Sequence, residues 1–157
     1  MPDYGAIKTE IALSKYSAMT DDQIAASLET TIVFTIDVSV SQVEGYLRSH
    51  MLMSGIESFV STPPNGAPPQ LVEGLRELLG LMSSPHVQMV VMTDPTVNYA
   101  VTSILGGAVS VGLMSGQNES DLMAMSSSTT TRAAQLGLDS NHVIVNEMVA
   151  ARLWDGS

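Results

Sequence analysis

Helix boundaries are encoded by local side-chain chemistry in this chain, and they constrain its fold more than any other feature. Thr20 and Gln23 have the spacing of a capping box, in which each side chain satisfies a backbone N–H group of the first helical turn. Asp21 and Asp22 add negative charge where the helix dipole is positive. These residues predict a helix that begins at residue 21 and extends to about residue 29.

Similar signals predict short helices along most of the remaining chain. Ser39 and Gln42 form a second capping box, for a helix that extends to about His50. Gly137 has the place of a left-handed C-terminal residue, with Leu138 folded back over the helix that it ends. Further helices are expected over residues 4–13 with Asp3 as N-cap, 70–82, 94–105 ended by Gly106 and Gly107, 121–126, 129–136, and 147–153 with Asn146 as N-cap.

Other segments favour extended or irregular backbone. Thr30–Ile36 is rich in β-branched and aromatic residues and is expected to be extended, as is the short piece 143–145. For residues 85–92 the pattern leaves helix and strand open. The segment 61–69 holds four prolines and a glycine, so it predicts an exposed loop rather than a helix interior. The fold class that follows is mainly α: a single domain over residues 1–157, built as a compact bundle of six to eight short helices with at most a minor β element.

Charge and composition exclude several classes of partner. The net charge is −10, and the 6 basic residues are scattered. Binding to a phosphate backbone needs clustered cations, so no stable nucleic-acid binding is expected. An acidic surface instead lets DNA slide past, or simply keeps the protein in solution. The sequence also shows no N-terminal signal and no run of about 20 apolar residues, so no membrane association is expected.

Few charges and many methionines suggest burial against other chains. Charged residues make up 14% of the chain, against about 25% in ordinary domains, while hydrophobic residues reach 45% with 11 Met. Methionine suits surfaces that adapt to several neighbours, although it also fills helical cores. We therefore expect an oligomer. The chain contains no Cys, which excludes disulfides and fits assembly in a reducing cytoplasm.

No motif for catalysis, a cofactor or a metal is recognisable. The three His have no second ligand at metal-binding spacing. The carboxylate pair Asp21 and Asp22 is explained by the helix dipole, and the pair Glu73 and Glu77 by a solvated helix face. The hydroxyl-rich run 126–131 lacks a nucleophile motif. The protein is therefore expected not to be an enzyme and to use no cofactor.

Three segments together resemble a family of small structural proteins of tailed bacteriophages. The first runs from Tyr16 through Met19, Thr20 and Asp21 to Gln23; the second is Thr131–Leu138; the third is Val143–Arg152. Between the first two lies the Gly106-Gly107 pair. The similarity extends over about residues 7–152 and is loose from about residue 30 to 94.

The resemblance implies a virion protein of the neck region. The expected function is that of a non-enzymatic head–tail connector or adaptor that joins the portal to the tail as a homo-oligomeric ring, twelve-fold by the same resemblance. Its partners would be portal, tail or neck proteins, and it would reach the virion after assembly in the host cytoplasm. Two alternatives stay open: a capsid decoration or tail-completion protein, and a helical regulatory protein that binds a phage or host partner through Thr30–Ile36.

Ten residues are candidates for contacts with other chains. The apolar segment is too hydrophobic for an exposed loop, and proline lowers the entropy lost when a loop docks. Two arginines are expected late in short helices, where they either offset the dipole or bridge to an acidic neighbour. A lone tryptophan is expected to anchor the C-terminal helix in its own core or in a neighbour's groove. The candidates are Ile32, Val33, Phe34, Ile36, Pro63, Pro64, Pro68, Arg132, Arg152 and Trp154.

Overall fold

A computed structural model describes residues 2–138 and 142–156 and is dominated by short helices, which confirms the mainly α prediction. The described residues contain nine α-helices, one 3-10 turn at Ser14–Tyr16 and four short strands. The helices are α1 (Tyr4–Ile11), α2 (Asp21–Leu28), α3 (Val40–Ser49), α4 (Met53–Ser61), α5 (Pro69–Ser83), α6 (Pro95–Ser110), α7 (Gly116–Ala124), α8 (Arg132–Gln135) and α9 (Ile144–Leu153). The strands are β1 (Thr31–Thr35), β2 (Val38–Ser39), β3 (Met89–Val90) and β4 (Ser127–Thr131).

The strands form two small sheets. β1 pairs with β4, and β2 pairs antiparallel with β3, with Val38 opposite Val90 and Ser39 opposite Met89. The expected extended segment is thus confirmed as β1, and part of the open segment 85–92 is the strand β3.

The chain divides into two compact units. The terminal unit consists of Met1–Phe34 and Thr129–Ser157, and the inserted unit consists of Thr35–Ser128. The prediction of one domain over residues 1–157 did not include this division.

The terminal unit is built from four helices around a small apolar core. α1 packs mainly against α9, which α2 also contacts. Ile7, Leu28 and Met148 are completely buried in this core. The predicted N-caps of α1 and α2 are present. Asp3 accepts a hydrogen bond from the backbone of Ala6, and the Thr20–Gln23 capping box is complete.

The inserted unit holds five helices, α3 to α7, around its own core. Leu47, Ile56 and Leu75 are its most buried large side chains, and they come from α3, α4 and α5. α5 contacts α3, α4 and α6. The Ser39–Gln42 box begins α3 as predicted. A third box, Ser115 with Asn118, begins α7.

The prediction that Gly106 and Gly107 end a helix is wrong, because α6 continues through both to Ser110. The glycines serve the packing of α6 on α5. A Cβ atom added at Gly107 would lie 2.9 Å from Cδ1 of Leu71, and one added at Gly74 would lie 2.7 Å from Cγ1 of Ile104. Because Gly74 and Gly107 carry no Cβ atom, the backbones of α5 and α6 can approach each other closely.

Three further boundaries differ from the predictions, and the first is that of α7, which covers Gly116–Ala124 rather than 121–126 because the Ser115–Asn118 capping box begins it earlier. Residues 127–131 form strand β4 rather than part of a helix over 129–136, since the hydroxyl-rich Ser and Thr side chains disfavour helix and the backbone pairs with β1. α9 begins at Ile144, so Asn146 lies within the helix and is not its N-cap, and residues 144–145 are not extended. Helix α4 has no counterpart in the sequence predictions.

Candidate functional site

A buried carboxylate holds the terminal unit together. Glu10, on α1, is 5% exposed and is bound by three side chains. Its Oε2 atom accepts hydrogen bonds from Arg132 Nε at 3.0 Å and Nη2 at 2.7 Å. Its Oε1 atom accepts from Lys15 Nζ at 2.9 Å and from the Tyr16 hydroxyl at 3.1 Å. A buried charge is stable only when it is paired in this way.

The electrostatics of this network keep Glu10 ionised. The hydrogen bonds from Arg132 lower the pKa of Glu10 to about 2, with smaller contributions from Lys15 and Tyr16, although burial acts in the opposite direction. The pKa of Lys15 is raised by its hydrogen bond to Glu10. A carboxylate that stays charged near neutral pH is poorly suited to proton transfer. Glu10 is therefore a structural tie between α1 and the start of α8.

A second ion pair joins α9 to the beginning of α2. Arg152 donates from Nη1 to Asp21 Oδ2 at 2.9 Å and from Nη2 to Asp21 Oδ1 at 2.6 Å. This two-bond geometry is the strongest arrangement available to an arginine and a carboxylate. The hydrogen bonds from Arg152 lower the pKa of Asp21.

Both candidate arginines thus have partners within their own chain. Arg152 lies in the last turn of α9, as predicted. The predicted place of Arg132 late in a helix is wrong: because β4 takes the preceding residues, Arg132 is the first residue of α8. Their side chains are 39% exposed for Arg132 and 44% for Arg152. Contact of either with another chain stays a prediction.

Trp154 follows α9 and lies half-buried against α1. The space beside Gly5 is closed by its ring: a Cβ atom at Gly5 would lie 3.3 Å from Trp154 Cζ3. Lys8 Nζ donates to the Trp154 carbonyl at 3.0 Å. On the same pair of helices, the Tyr4 hydroxyl donates to Glu147 Oε2 at 2.8 Å. The tryptophan thus anchors the C-terminal helix within its own unit.

These contacts involve residues of the three segments from which a phage resemblance is predicted. Arg152 binds Asp21 directly, whereas Arg132 and Tyr16 both bind Glu10. Tyr16 and Asp21 belong to the first segment, Arg132 to the second and Arg152 to the third. Gly137 has a φ of 77° and ends α8 with backbone bonds from Gly137 N to Ala134 O and from Leu138 N to Ala133 O, both 3.0 Å. All three segments lie in the terminal unit.

The apolar residues of β1 are exposed. Ile32 is 37% exposed, Val33 67% and Phe34 39%, while Ile36, after the strand, is half-buried and donates its backbone N–H to Ser126 O at 2.7 Å. All five residues of β1 are exposed, and only β4 pairs with the strand among the described residues. An exposed apolar edge strand without charge is a surface prone to pairing with another chain.

The proline-rich loop is exposed as well. Pro63, Pro64 and Pro68 all lie at the surface between α4 and α5. Within the loop, Ala67 N donates to Pro64 O at 3.0 Å across a turn in which Gly66 has a φ of 83°. Pro69 is the first residue of α5, where its missing N–H is not needed.

The inserted unit contains a polar cluster that sequence reasoning missed. The Tyr46 hydroxyl donates to Asp121 Oδ2 at 2.8 Å and accepts from Asn118 Nδ2 at 3.1 Å. The His50 ring stacks on Tyr46 with centroids 3.9 Å apart. Burial raises the pKa of Tyr46, and the hydrogen bond from Tyr46 lowers that of Asp121. The cluster joins α3 to α7, and since Tyr46 is 72 positions from Asn118 and 75 from Asp121, no local motif marks it.

The best-enclosed cavity described in the inserted unit is small and apolar. It has a volume of about 40 Å³ and lies among side chains that include Leu47, Val90, Met92, Leu105 and Met114. Such a space stays dry because it offers water almost no hydrogen-bond partner.

Within residues 2–138 and 142–156, no three His or acidic side chains are grouped so that they would hold a metal ion. None of the helices in that part of the chain is both long and apolar enough to cross a membrane. Comparison with protein-family models, with curated proteins and with solved structures finds no match.

Proposed function

We propose that this protein is a non-enzymatic structural component of a tailed-phage particle, a subunit of the head–tail connector ring between portal and tail. The supporting observation is that the three segments resembling phage structural proteins meet in one compact unit. The ion pair between Arg152 and Asp21 joins the third segment to the first. Glu10, which precedes the first segment, binds Arg132 of the second segment and Tyr16 of the first. Segments more than 100 positions apart in the sequence thus build one structure.

The function follows from geometry rather than chemistry. Ion pairs and a shared apolar core join the helices of the terminal unit, and a ring subunit needs such a defined packing in order to repeat the same contact. The exposed apolar strand β1 supplies a surface for contact with other chains of the particle, since burying Val33 and its neighbours in water-free packing is favourable. The net charge of −10 reduces adhesion of DNA that passes through the ring.

Fractionation of an infected culture tests the proposal. A tagged copy of the protein should sediment with purified virions after nuclease treatment and high-salt washing, and little should stay in the soluble lysate. A known non-structural phage protein carrying the same tag is the control for trapping. A protein that stays in the lysate would contradict the proposal and favour a regulatory role.

A further inference from the structure

The proline-rich loop is preorganised for docking. Residues 62–68 connect α4 and α5 without regular structure, and nearly all of them are exposed. Pro68 has φ −62° and ψ 121°, close to the polyproline II conformation. Two proline pairs flank the Gly66 turn, so little conformational entropy remains to be lost when the loop binds.

A groove of suitable chemistry lies at the start of α6. It has a volume of about 410 Å³ and is lined in part by Thr35, Pro95, Tyr99 and Thr102. Tyr99 is 76% exposed, and its hydroxyl has no hydrogen-bond partner among the described residues. Tyr99 offers the two kinds of contact that proline-rich segments use, since its ring can pack on proline and its hydroxyl can donate to a backbone carbonyl.

The loop and the groove lie at opposite ends of one helix pair. Leu71, near the start of α5, contacts Gly107 near the end of α6, and Gly74 faces Ile104. The two helices are therefore antiparallel, and the loop before α5 lies beside the C-terminal end of α6. Because a helix of 16 residues is about 24 Å long, the loop is too distant to fill the groove at the N-terminal end of α6 in its own molecule.

We propose that the loop Pro63–Pro69 of one copy docks in the Tyr99 groove of a second copy. A contact between two different surfaces at opposite ends of a subunit is head-to-tail, and repeated contacts of this kind close into a ring when the rotation fits. The inference rests on the proposed function, since it assigns the contact that would assemble the connector.

Charge favours a second copy as the occupant. Neither residues 61–69 nor the residues that line the groove include a charged side chain, although the chain carries −10 overall. Two carboxylates lie beside the groove in sequence, and both have backbone partners: Asp37 Oδ1 accepts from Thr93 N at 3.0 Å, and Asp94 Oδ1 accepts from Thr96 N at 2.8 Å. Contact between these two uncharged surfaces brings no further carboxylate against Asp37 and Asp94, so it adds little to the repulsion between two acidic copies.

Cysteine cross-linking tests the contact, because the natural chain has no Cys. The double variant Asn65→Cys with Thr102→Cys places one thiol in the loop and one beside the groove. Mild oxidation of the full-length protein should give a ladder of dimers, trimers and larger species on a non-reducing gel. A mixture of the two single variants should give a mixed dimer and no higher ladder. The matched control is Asn65→Cys with Ser54→Cys, on the exposed surface of α4.

A second variant probes the groove itself. Tyr99→Ser, added to the cysteine pair, should leave the circular dichroism spectrum unchanged and reduce the ladder about ten-fold or more, as expected for loss of an aromatic anchor. An equal ladder from the control pair, or no effect of Tyr99→Ser, would overturn the docking inference. If the protein enters virions without a specific ladder, the inference fails while the connector role stands. A specific ladder from a protein that never enters virions would support the docking contact and contradict the connector role.

Discussion

At the scale of single residues, Glu10 is the buried charged side chain described in the terminal unit, and its partners keep it ionised. We expect Arg132→Met to lower the free energy of unfolding by about 2 kcal/mol, because it removes two hydrogen bonds from a buried carboxylate. Arg76→Met, which breaks an exposed ion pair to Glu73, is the matched control and should cost about 0.5 kcal/mol or less. Urea denaturation measures both. Equal effects would contradict the role of Glu10.

The same residue makes stability depend on pH. The folded-state pKa of Glu10 is about 2, below the ordinary value of 4.5, so the unfolded chain binds more protons in the interval between them. The contribution of Glu10 is therefore complete above about pH 5 and is lost as the pH falls toward 2. Glu10→Gln should flatten this slope, leaving the part that belongs to other carboxylates with lowered pKa. Urea unfolding across this pH range measures the slope of the unfolding free energy against pH. Equal slopes for the natural protein and for Glu10→Gln would contradict this account.

Local residue chemistry was predictable, and distant pairing was not. Asp3, Thr20 and Ser39 cap their helices as expected, since a cap involves atoms only two or three residues away. Glu10 and Arg132 are 122 positions apart, and nothing in the pattern around either one marks the other.

At the scale of elements, the close crossing of α5 and α6 depends on glycine. We expect Gly74→Ala to destabilise the protein, because the new Cβ would lie 2.7 Å from Cγ1 of Ile104. Gly80→Ala, in the same helix, is the control: its Cβ would meet nothing within 4 Å, and alanine favours helix by up to about 1 kcal/mol. The midpoint of thermal unfolding should be lower than that of the natural protein for Gly74→Ala and higher for Gly80→Ala. A stabilising Gly74→Ala would contradict this packing.

Element boundaries failed where tertiary contacts override propensity. Gly106 and Gly107 look like a helix stop, yet α6 includes them because the helix packs closely on Leu71. Residues 129–131 look like the start of a helix, but they pair with β1. Short-range signals contain no information on either partner.

The exposed strand β1 yields a prediction about assembly. Ile32→Ser combined with Phe34→Ser should leave the fold intact and reduce incorporation into particles, since both side chains are more than a third exposed. Leu81→Ser, which removes an apolar side chain of equal 37% exposure from α5, is the control and should assemble normally. Quantitative blotting of purified particles, with circular dichroism of the free variants, measures the effect. Unfolding of the double variant would show instead that these side chains stabilise the fold.

At the scale of the whole molecule, the chain inserts one unit into another. The segments of the phage resemblance at residues 16–23, 131–138 and 143–152 fall in the terminal unit, whereas the loosely similar stretch from about residue 30 to 94 falls mostly in the inserted unit. Composition and local pattern predicted the helical class but not the insertion. An insertion is defined by which distant segments share a core, and here Ile7, Leu28 and Met148 share one.

Counting copies per particle tests the central claim most directly. Isotope-dilution mass spectrometry of purified virions would measure this chain and the portal protein in the same sample, with a major capsid protein as reference. A connector ring that matches the portal in symmetry predicts about one copy of this chain per copy of portal protein. Absence from the particle, or a ratio near that of the capsid protein, would contradict the account.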